Sequence, residues 1–354
     1  MTALDVAIPL FSAAILSAIL IPVILVISHR RGWYDHYDDR KVHDGDIPRL
    51  AGVGMFLATV GGFFLGIAFG SGNGTSVGSM VTPVMLGVLA GLALVHVTGV
   101  IDDFRNIRAW KKLFFQIAAA VLVIIGGTMI RSIGFPWLGA SLSLGFVGPV
   151  LTVLWLIGIS NAVNLMDGID GLAGGLSLIA ALGIGLAHGA AGNWVGVVAA
   201  LALAGALLGF LFFNFPPARI FMGDGGSLFL GFALAALPFI GPAEQIQPGM
   251  FVVAVTVLFL PILDVLSAII RRLREGRAIH HPDKEHLHHK LMHLGLNARQ
   301  IDLVIYAASA LLAAAGVLAY SATDATGAVI ILVGWLVGIA LFLTLHYLRR
   351  NPKT

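Results

Sequence analysis

Residues 80–103 read MVTPVMLGVLAGLALVHVTGVIDD, an apolar run long enough to cross a lipid layer as a helix and closed by the acids Asp102 and Asp103. A hydrocarbon core of about 30 Å takes about 20 residues at about 1.5 Å per residue. The run therefore predicts a spanning helix with its carboxylates at the water–lipid boundary. The rest of the chain repeats the pattern. Hydrophobic residues fill 58% of the 354 positions and charged residues only 11%, against about 25% charge in soluble domains, which excludes an ordinary soluble protein.

Stretches of spanning length fall at about 5–28, 51–70, 80–101, 113–131, 147–163, 171–190, 194–213, 227–243, 249–270, 301–321 and 325–346. The expected fold is all-α: a single integral membrane domain over 1–354 with about 11 transmembrane helices. If alternate connections are cytoplasmic, those loops hold 20 of the 21 Lys and Arg, with Arg131 alone outside. Short cytoplasmic loops retain positive charge, so the N-terminus is expected outside and the C-terminus in the cytoplasm. The first stretch has no basic residue before it, is longer than a signal-peptide core and is followed by Arg30 and Arg31, so it reads as an uncleaved anchor.

The same loop bias explains the net charge of +3 without a nucleic-acid partner. The absence of cysteine rules out disulfides and thiolate metal sites. Most of the 44 glycines are read as points of close helix packing in lipid.

Four polar clusters interrupt the apolar chain, each at a predicted cytoplasmic helix end. The first is Asp102-Asp103, followed by Arg108, Lys111 and Lys112. Neighbouring helical residues point about 100° apart, so the two carboxylates are expected to differ in role, one toward substrate and one toward a lysine or the backbone. Lys112 is a candidate phosphate contact or an ordinary basic anchor.

The second cluster is NAVNLMDGIDGL at 161–172. Its three-residue spacing places Asn161, Asn164 and Asp167 near one helix face, with Asp170 beyond and Gly168 and Gly171 allowing a bend. A polar cap explains one such residue, not the series, which is expected to face protein or a wet cavity.

The third cluster is NFPPARIFMGDGGS at 214–227. Pro216 and Pro217 stop a helix, and the glycines around Asp224 bring backbone amides near it. A carboxylate beside exposed amides at a helix start suits a magnesium-bound diphosphate. It is not a P-loop, because the Gly-Lys-Ser/Thr ending is missing.

The fourth cluster lies in the longest cytoplasmic loop, RRLREGRAIHHPDKEHLHHKL at 271–291. Imidazoles beside arginines form a phosphate and nucleobase clamp. Zinc is the alternative, since His286 and His289 would share a helix face, but no closed ligand set is visible. Asp264, about 10 Å along the preceding helix from Arg271, either faces the cavity or pairs within the bundle. In the first loop Lys41 is a candidate substrate contact among residues whose plain reading is solvation. Acids, amides and imidazoles at one boundary suit a reaction between a water-borne phosphate compound and a lipid-borne one, that is, a membrane phosphotransferase.

In this order the motifs VIDD (100–103), NAVNLMDGIDGL, FMGDGGS (221–227) and HLHH (286–289) resemble the polyprenyl-phosphate N-acetylhexosamine-1-phosphate transferases, over residues 30–300. The segment DKEHLHHK (283–290) resembles the branch that starts O-antigen, enterobacterial common antigen or teichoic acid synthesis more than the lipid I synthases, which carry three consecutive histidines there and usually ten spans. The resemblance implies transfer of a sugar 1-phosphate, GlcNAc 1-phosphate in this branch, from a UDP-N-acetylhexosamine to undecaprenyl phosphate, with release of UMP. It implies Mg²⁺, with Mn²⁺ as the alternative ion, held by Asp224 and Asn164.

The resemblance also implies that Asp102, Asp103 and Asp167 are catalytic-site acids. Substrate contacts are implied at Lys41, Lys112, Asn161, Asp170, Asn214, His286, His288 and His289. A departure at Pro48-Arg-Leu-Ala51-Gly52, where relatives usually have Gly-Gly, weakens the carry-over to Lys41. The implied setting is a bacterial cytoplasmic membrane, with membrane lipid as a partner and a homodimer admitted but not required. The rivals are lipid I synthesis and, from another class, a secondary transporter, whose sites lie near the midplane between internal repeats. No repeat is visible here, and the acids crowd one boundary.

Overall fold

The computed structural model describes residues 2–34, 47–70, 82–135, 139–241, 249–277, 285–322 and 324–347. Its helices in chain order are α1 (Ala3–Arg31), α2 (Ala51–Phe69), α3 (Pro83–Arg105), α4 (Ala109–Ile125), α5 (Val147–Met166), α6 (Leu172–Ala190) and α7 (Trp194–Asn214). They continue as α8 (Gly223–Ala236), α9 (Met250–Val257), α10 (Phe259–Arg274), α11 (Leu287–His293), α12 (Ala298–Ser321) and α13 (Ala325–Tyr347). Among the described residues eight helices are long and apolar enough to cross a membrane, and α9 and α10 pass the same test as a pair bent by 69°. The chain is an all-α, multi-pass membrane protein.

All eleven expected stretches contain helix, but three depart from the expected form. The stretch at 113–131 is helix α4, which starts earlier and stops at Ile125. Beyond it Ser132–Phe135 and Ala140–Ser143 pair as an antiparallel hairpin, a strand pair that the apolar count did not register. The stretch at 227–243 begins at Gly223 and ends in a short 3₁₀ turn, Leu237–Phe239. The stretch at 249–270 breaks at Leu258. Pro261 in the first turn of α10 has no N–H for the Val257 carbonyl four residues before it, so one helix cannot run straight through.

Helix ends are set locally. Thr82 caps α3 by accepting the Met85 N–H at 3.2 Å, with Pro83 following, where a missing N–H does no harm. At the other end Asn106 adopts a left-handed conformation (φ 45°) and the Asp102 carboxylate accepts the Ile107 N–H at 2.6 Å. Asp102 thus closes its own helix.

Helix α8 is the hub. It packs against α3, α5 and α2, and Phe229, Leu230, Phe232 and Leu234 are fully buried on it. Close approach needs small residues: a Cβ on Gly52 of α2 would run into Gly226, and one on Gly99 of α3 would run into the Asp224 backbone. Segment 48–52 is zipped to the chain entering α8 by three backbone bonds, Phe221 N–H to Pro48 O (2.8 Å), Ala51 N–H to Phe221 O and Gly52 N–H to Met222 O (both 3.1 Å). The start of α8, and with it Asp224, is fixed from two sides.

Candidate active site

Asp224 occupies the first turn of α8, and side chains from three other helices converge there. Its Oδ2 receives Lys112 Nζ at 2.8 Å and its Oδ1 receives Asn164 Nδ2 at 3.0 Å. Lys112 also pairs with Asp102, so one ammonium bridges two carboxylates. Asn164 donates as well to Ser227 Oγ at 2.8 Å, and that hydroxyl donates back to Gly223 O at 3.0 Å. Three of the four sequence clusters are therefore joined through direct hydrogen bonds.

The acid pair divides as its 100° offset requires. Asp102 faces Lys112 and Asp224, whereas Asp103 turns the other way. Asp103 Oδ1 accepts the Asp224 N–H at 2.9 Å and Oδ2 accepts the Gly225 N–H at 3.0 Å. It thereby supplies, from another helix, the acceptors that the first N–H groups of α8 lack. Arg49 closes this arrangement, with its guanidinium 3.9 Å from Asp103 Oδ1 and donating to the Asp103 carbonyl. Gly223 (φ +69°) makes the entry turn, where a Cβ would meet Asp103 Oδ2 at 2.6 Å.

The second cluster does not keep one face. Helix α5 ends at Met166, and Asp167 leaves the helical conformation with its N–H on Asn164 O at 3.3 Å. Asn161 turns to Gln116 of α4 in a reciprocal amide pair, donating at 3.0 Å. Asp170 Oδ2 accepts the Ala218 N–H at 2.8 Å. Asn214 is buried, accepting the Gly171 N–H at 3.0 Å and donating to Ile220 O at 2.9 Å. Asn161, Asp170 and Asn214, expected at the substrate, bond protein groups and so link loops and helices.

The fourth cluster reaches the same turn from the other side. His286 precedes α11 and its Nδ1 lies 2.8 Å from Asp264 Oδ2, while Asp264 Oδ1 accepts the Leu287 N–H at 2.9 Å. Asp264 thus pairs within the bundle. His288 is 1% exposed and seated so closely on Gly168 that a Cβ there would strike its ring. Burial first, and then the neighbouring His289, push the His288 imidazole down to about 3, so it is neutral near pH 7. His289 lies against it, ring centres 4.3 Å apart. Helix α12 completes the clamp: Tyr306 donates to Gly171 O at 2.6 Å and Arg299 Nε to Pro216 O at 2.9 Å.

Arg49, Gln116, Ser227, Asp302 and Tyr306 were not singled out from the sequence. Arg49 and Ser227 had a legible signal, since each lies within a quoted segment, Pro48–Gly52 and FMGDGGS. Gln116 and Tyr306 had none, because a single polar residue in an apolar helix does not reveal its partner. Lys41 lies outside the described residues.

The donor set fits a hard divalent cation. Mg²⁺ takes one or two carboxylates and completes its shell with substrate oxygens and water, and the Lys112 ammonium already marks a cation position shared by Asp102 and Asp224.

Fold and site together define a class: a polytopic membrane protein whose acid-rich centre is built where several helices end. Residues 85–241 match the family described as Glycosyl transferase family 4. The chain is 35% identical over 314 residues (88% of this chain, 85% of the relative) to a probable undecaprenyl-phosphate N-acetylglucosaminyl 1-phosphate transferase of Bacillus subtilis. It is 36% identical over 323 residues (83% and 78%) to a decaprenyl-phosphate N-acetylglucosaminephosphotransferase of Mycobacterium tuberculosis. It is 29% identical over 298 residues (83% and 78%) to the undecaprenyl-phosphate alpha-N-acetylglucosaminyl 1-phosphate transferase of Escherichia coli K12. The chain therefore belongs to glycosyl transferase family 4, in the branch of polyprenyl-phosphate N-acetylglucosamine-1-phosphate transferases.

Proposed function

We propose that the protein transfers GlcNAc 1-phosphate from UDP-GlcNAc to undecaprenyl phosphate, releasing UMP, with Mg²⁺ (or Mn²⁺) held by Asp224 and Asn164 beside Asp102. The observation that carries this reading is the Lys112 ammonium bridging Asp102 and Asp224 at a helix end, with Asn164 donating to the same Asp224 carboxylate. The names of the relatives support the sugar and the acceptor class. The eleven-span topology, with the N-terminus outside, the C-terminus inside and the site at the cytoplasmic face of a bacterial inner membrane, rests on the Lys and Arg bias.

In this mechanism a phosphate oxygen of the lipid attacks the sugar-side phosphorus of the donor. The new P–O bond forms as the bond to the bridging oxygen breaks, and UMP leaves with that electron pair. Positioning and charge neutralisation supply most of the acceleration in such phosphoryl transfers. Lys112 holds phosphate oxygens, and Asp102 orients the lipid phosphate and takes any residual proton. Asp103 and Arg49 keep the start of α8 in place. Asp167, on the turn that follows α5, is assigned a catalytic-site role by the motif it belongs to. When bound, the divalent ion neutralises charge on the diphosphate.

The lipid phosphate is already anionic near neutral pH, so a strong general base is not obligatory, and attack is direct, without a phosphoenzyme; trapping a phosphorylated aspartate with UDP-GlcNAc alone would overturn direct attack. The decisive experiment incubates detergent-solubilised protein with undecaprenyl phosphate and Mg²⁺, offering UDP-GlcNAc and UDP-MurNAc-pentapeptide in parallel. UMP release with UDP-GlcNAc is expected. Turnover of the pentapeptide donor alone, or of neither, would refute the proposal.

A further inference from the structure

Given the transferase reading above, we infer that Asp264 is a positioning residue for donor binding: it fixes the plane and tautomer of His286, so that Nε2 is the nitrogen offered to the nucleotide sugar. Asp264 lies one turn after Leu260-Pro261 in α10 and is fully buried. Both of its oxygens are committed, one to the Leu287 N–H and one to His286 Nδ1. Seating the start of α11 takes only the first of these bonds. The second reaches a ring that is itself 3% exposed. A carboxylate accepts hydrogen bonds and does not donate them, so the proton of His286 stands on Nδ1. In the neutral ring the lone pair is then left on Nε2.

That nitrogen has no hydrogen-bond partner, nor has either ring nitrogen of His288. The two imidazoles lie nearly parallel, 4° apart with centres 6.1 Å distant. Buried polar groups in folded proteins are as a rule matched, so three unmatched nitrogens on two neighbouring, fixed rings, one of them seated against Gly168, point to a ligand that supplies their partners. The chemistry of that ligand is a nucleotide sugar, with hydroxyl and N–H donors for Nε2. Asp264 acts only through His286, because its oxygens are spent on protein groups.

Asp264→Asn tests this with little change of shape. The amide oxygen keeps the Leu287 N–H, while its NH₂ donates to His286 Nδ1 and so drives the ring proton to Nε2. Detergent-solubilised protein labelled with ¹⁵N-histidine should show the Nδ1–H pattern for His286 in the wild type and the Nε2–H pattern in D264N, the signal being assigned by its loss in H286Q. The KM for UDP-GlcNAc should rise about tenfold, the loss of one hydrogen bond, with the KM for undecaprenyl phosphate unchanged. In an H286A background D264N should add no further loss. An unchanged tautomer in D264N, or an equal loss with and without His286, would overturn the assignment. The tautomer measurement needs no substrate, so failure of the wild type to transfer GlcNAc 1-phosphate would sink the transferase reading alone.

Discussion

The two sides of the turn at 167–171 are built on opposite terms. On the acid side Asp102, Asp103, Lys112, Asn164 and Asp224 bond one another and the start of α8. On the imidazole side His286 keeps one nitrogen and His288 both nitrogens without hydrogen-bond partners, although both residues are buried. An acid centre satisfied by its own lysine holds its geometry before any ligand arrives. Fixed but unmatched imidazoles gain their missing bonds only when something binds. On the proposed function, the difference is that between a preformed charge site and a recognition site.

The contrast breaks most sharply at Asp224. Asp224→Ala should lower turnover by about 10³-fold, on the scale of losing a main electrostatic contact, while size-exclusion behaviour stays normal; near-wild-type turnover would remove Asp224 from the centre. Asp103→Ala should behave differently. It strands two buried N–H groups at the start of α8, so thermal unfolding should register a loss of about 1–3 kcal/mol together with lower turnover. Loss of activity at full stability would mean that Asp103 serves the reaction and not the helix.

On the imidazole side the expected effects are smaller. Gly168→Ala pushes a methyl group into the His288 ring and should raise the KM for UDP-GlcNAc about tenfold, equivalent to about 1.4 kcal/mol, with part of the effect relieved by adding His288→Ala. An unchanged KM would show that the ring position does not matter. A separate test concerns acid sensitivity. The folded-state value of about 3 for His288 lies below the ordinary value of about 6.5, so protonation favours the unfolded chain. The stability that neutral His288 contributes at pH 7 is therefore lost progressively as pH falls from about 6.5 toward 3. Thermal melts of His288→Gln across that range should fall less steeply than those of the wild type; parallel curves would contradict the depressed value.

Hydropathy alone located a helix in every expected stretch, because an apolar run of spanning length has few other places to go in water or lipid. It missed the paired strands Ser132–Phe135 and Ala140–Ser143, whose short lengths carry no comparable signal, and the break at Leu258, where apolar character continues through a 69° bend. At the site the motifs marked the correct segments but not the allocation within them. Asp102 and Asp103 are adjacent letters, yet one meets Lys112 and the other meets backbone amides. Asn161 and Asn164 share a spacing, yet one pairs with Gln116 and the other with Asp224.

The sequence by itself determined that this is a multi-pass helical membrane protein with its four polar clusters at helix ends, since burying unpaired charge in hydrocarbon is costly. Its ordered motifs also determined the family. Only the tertiary structure decided which acid braces and which faces the centre, that Asp264 belongs to His286, and that α11 and α12 close on the turn bearing Asp167. Those choices depend on hydrogen-bond partners that lie up to 135 residues apart in the chain, as Tyr306 and Gly171 do, and no local periodicity encodes a partner at that distance.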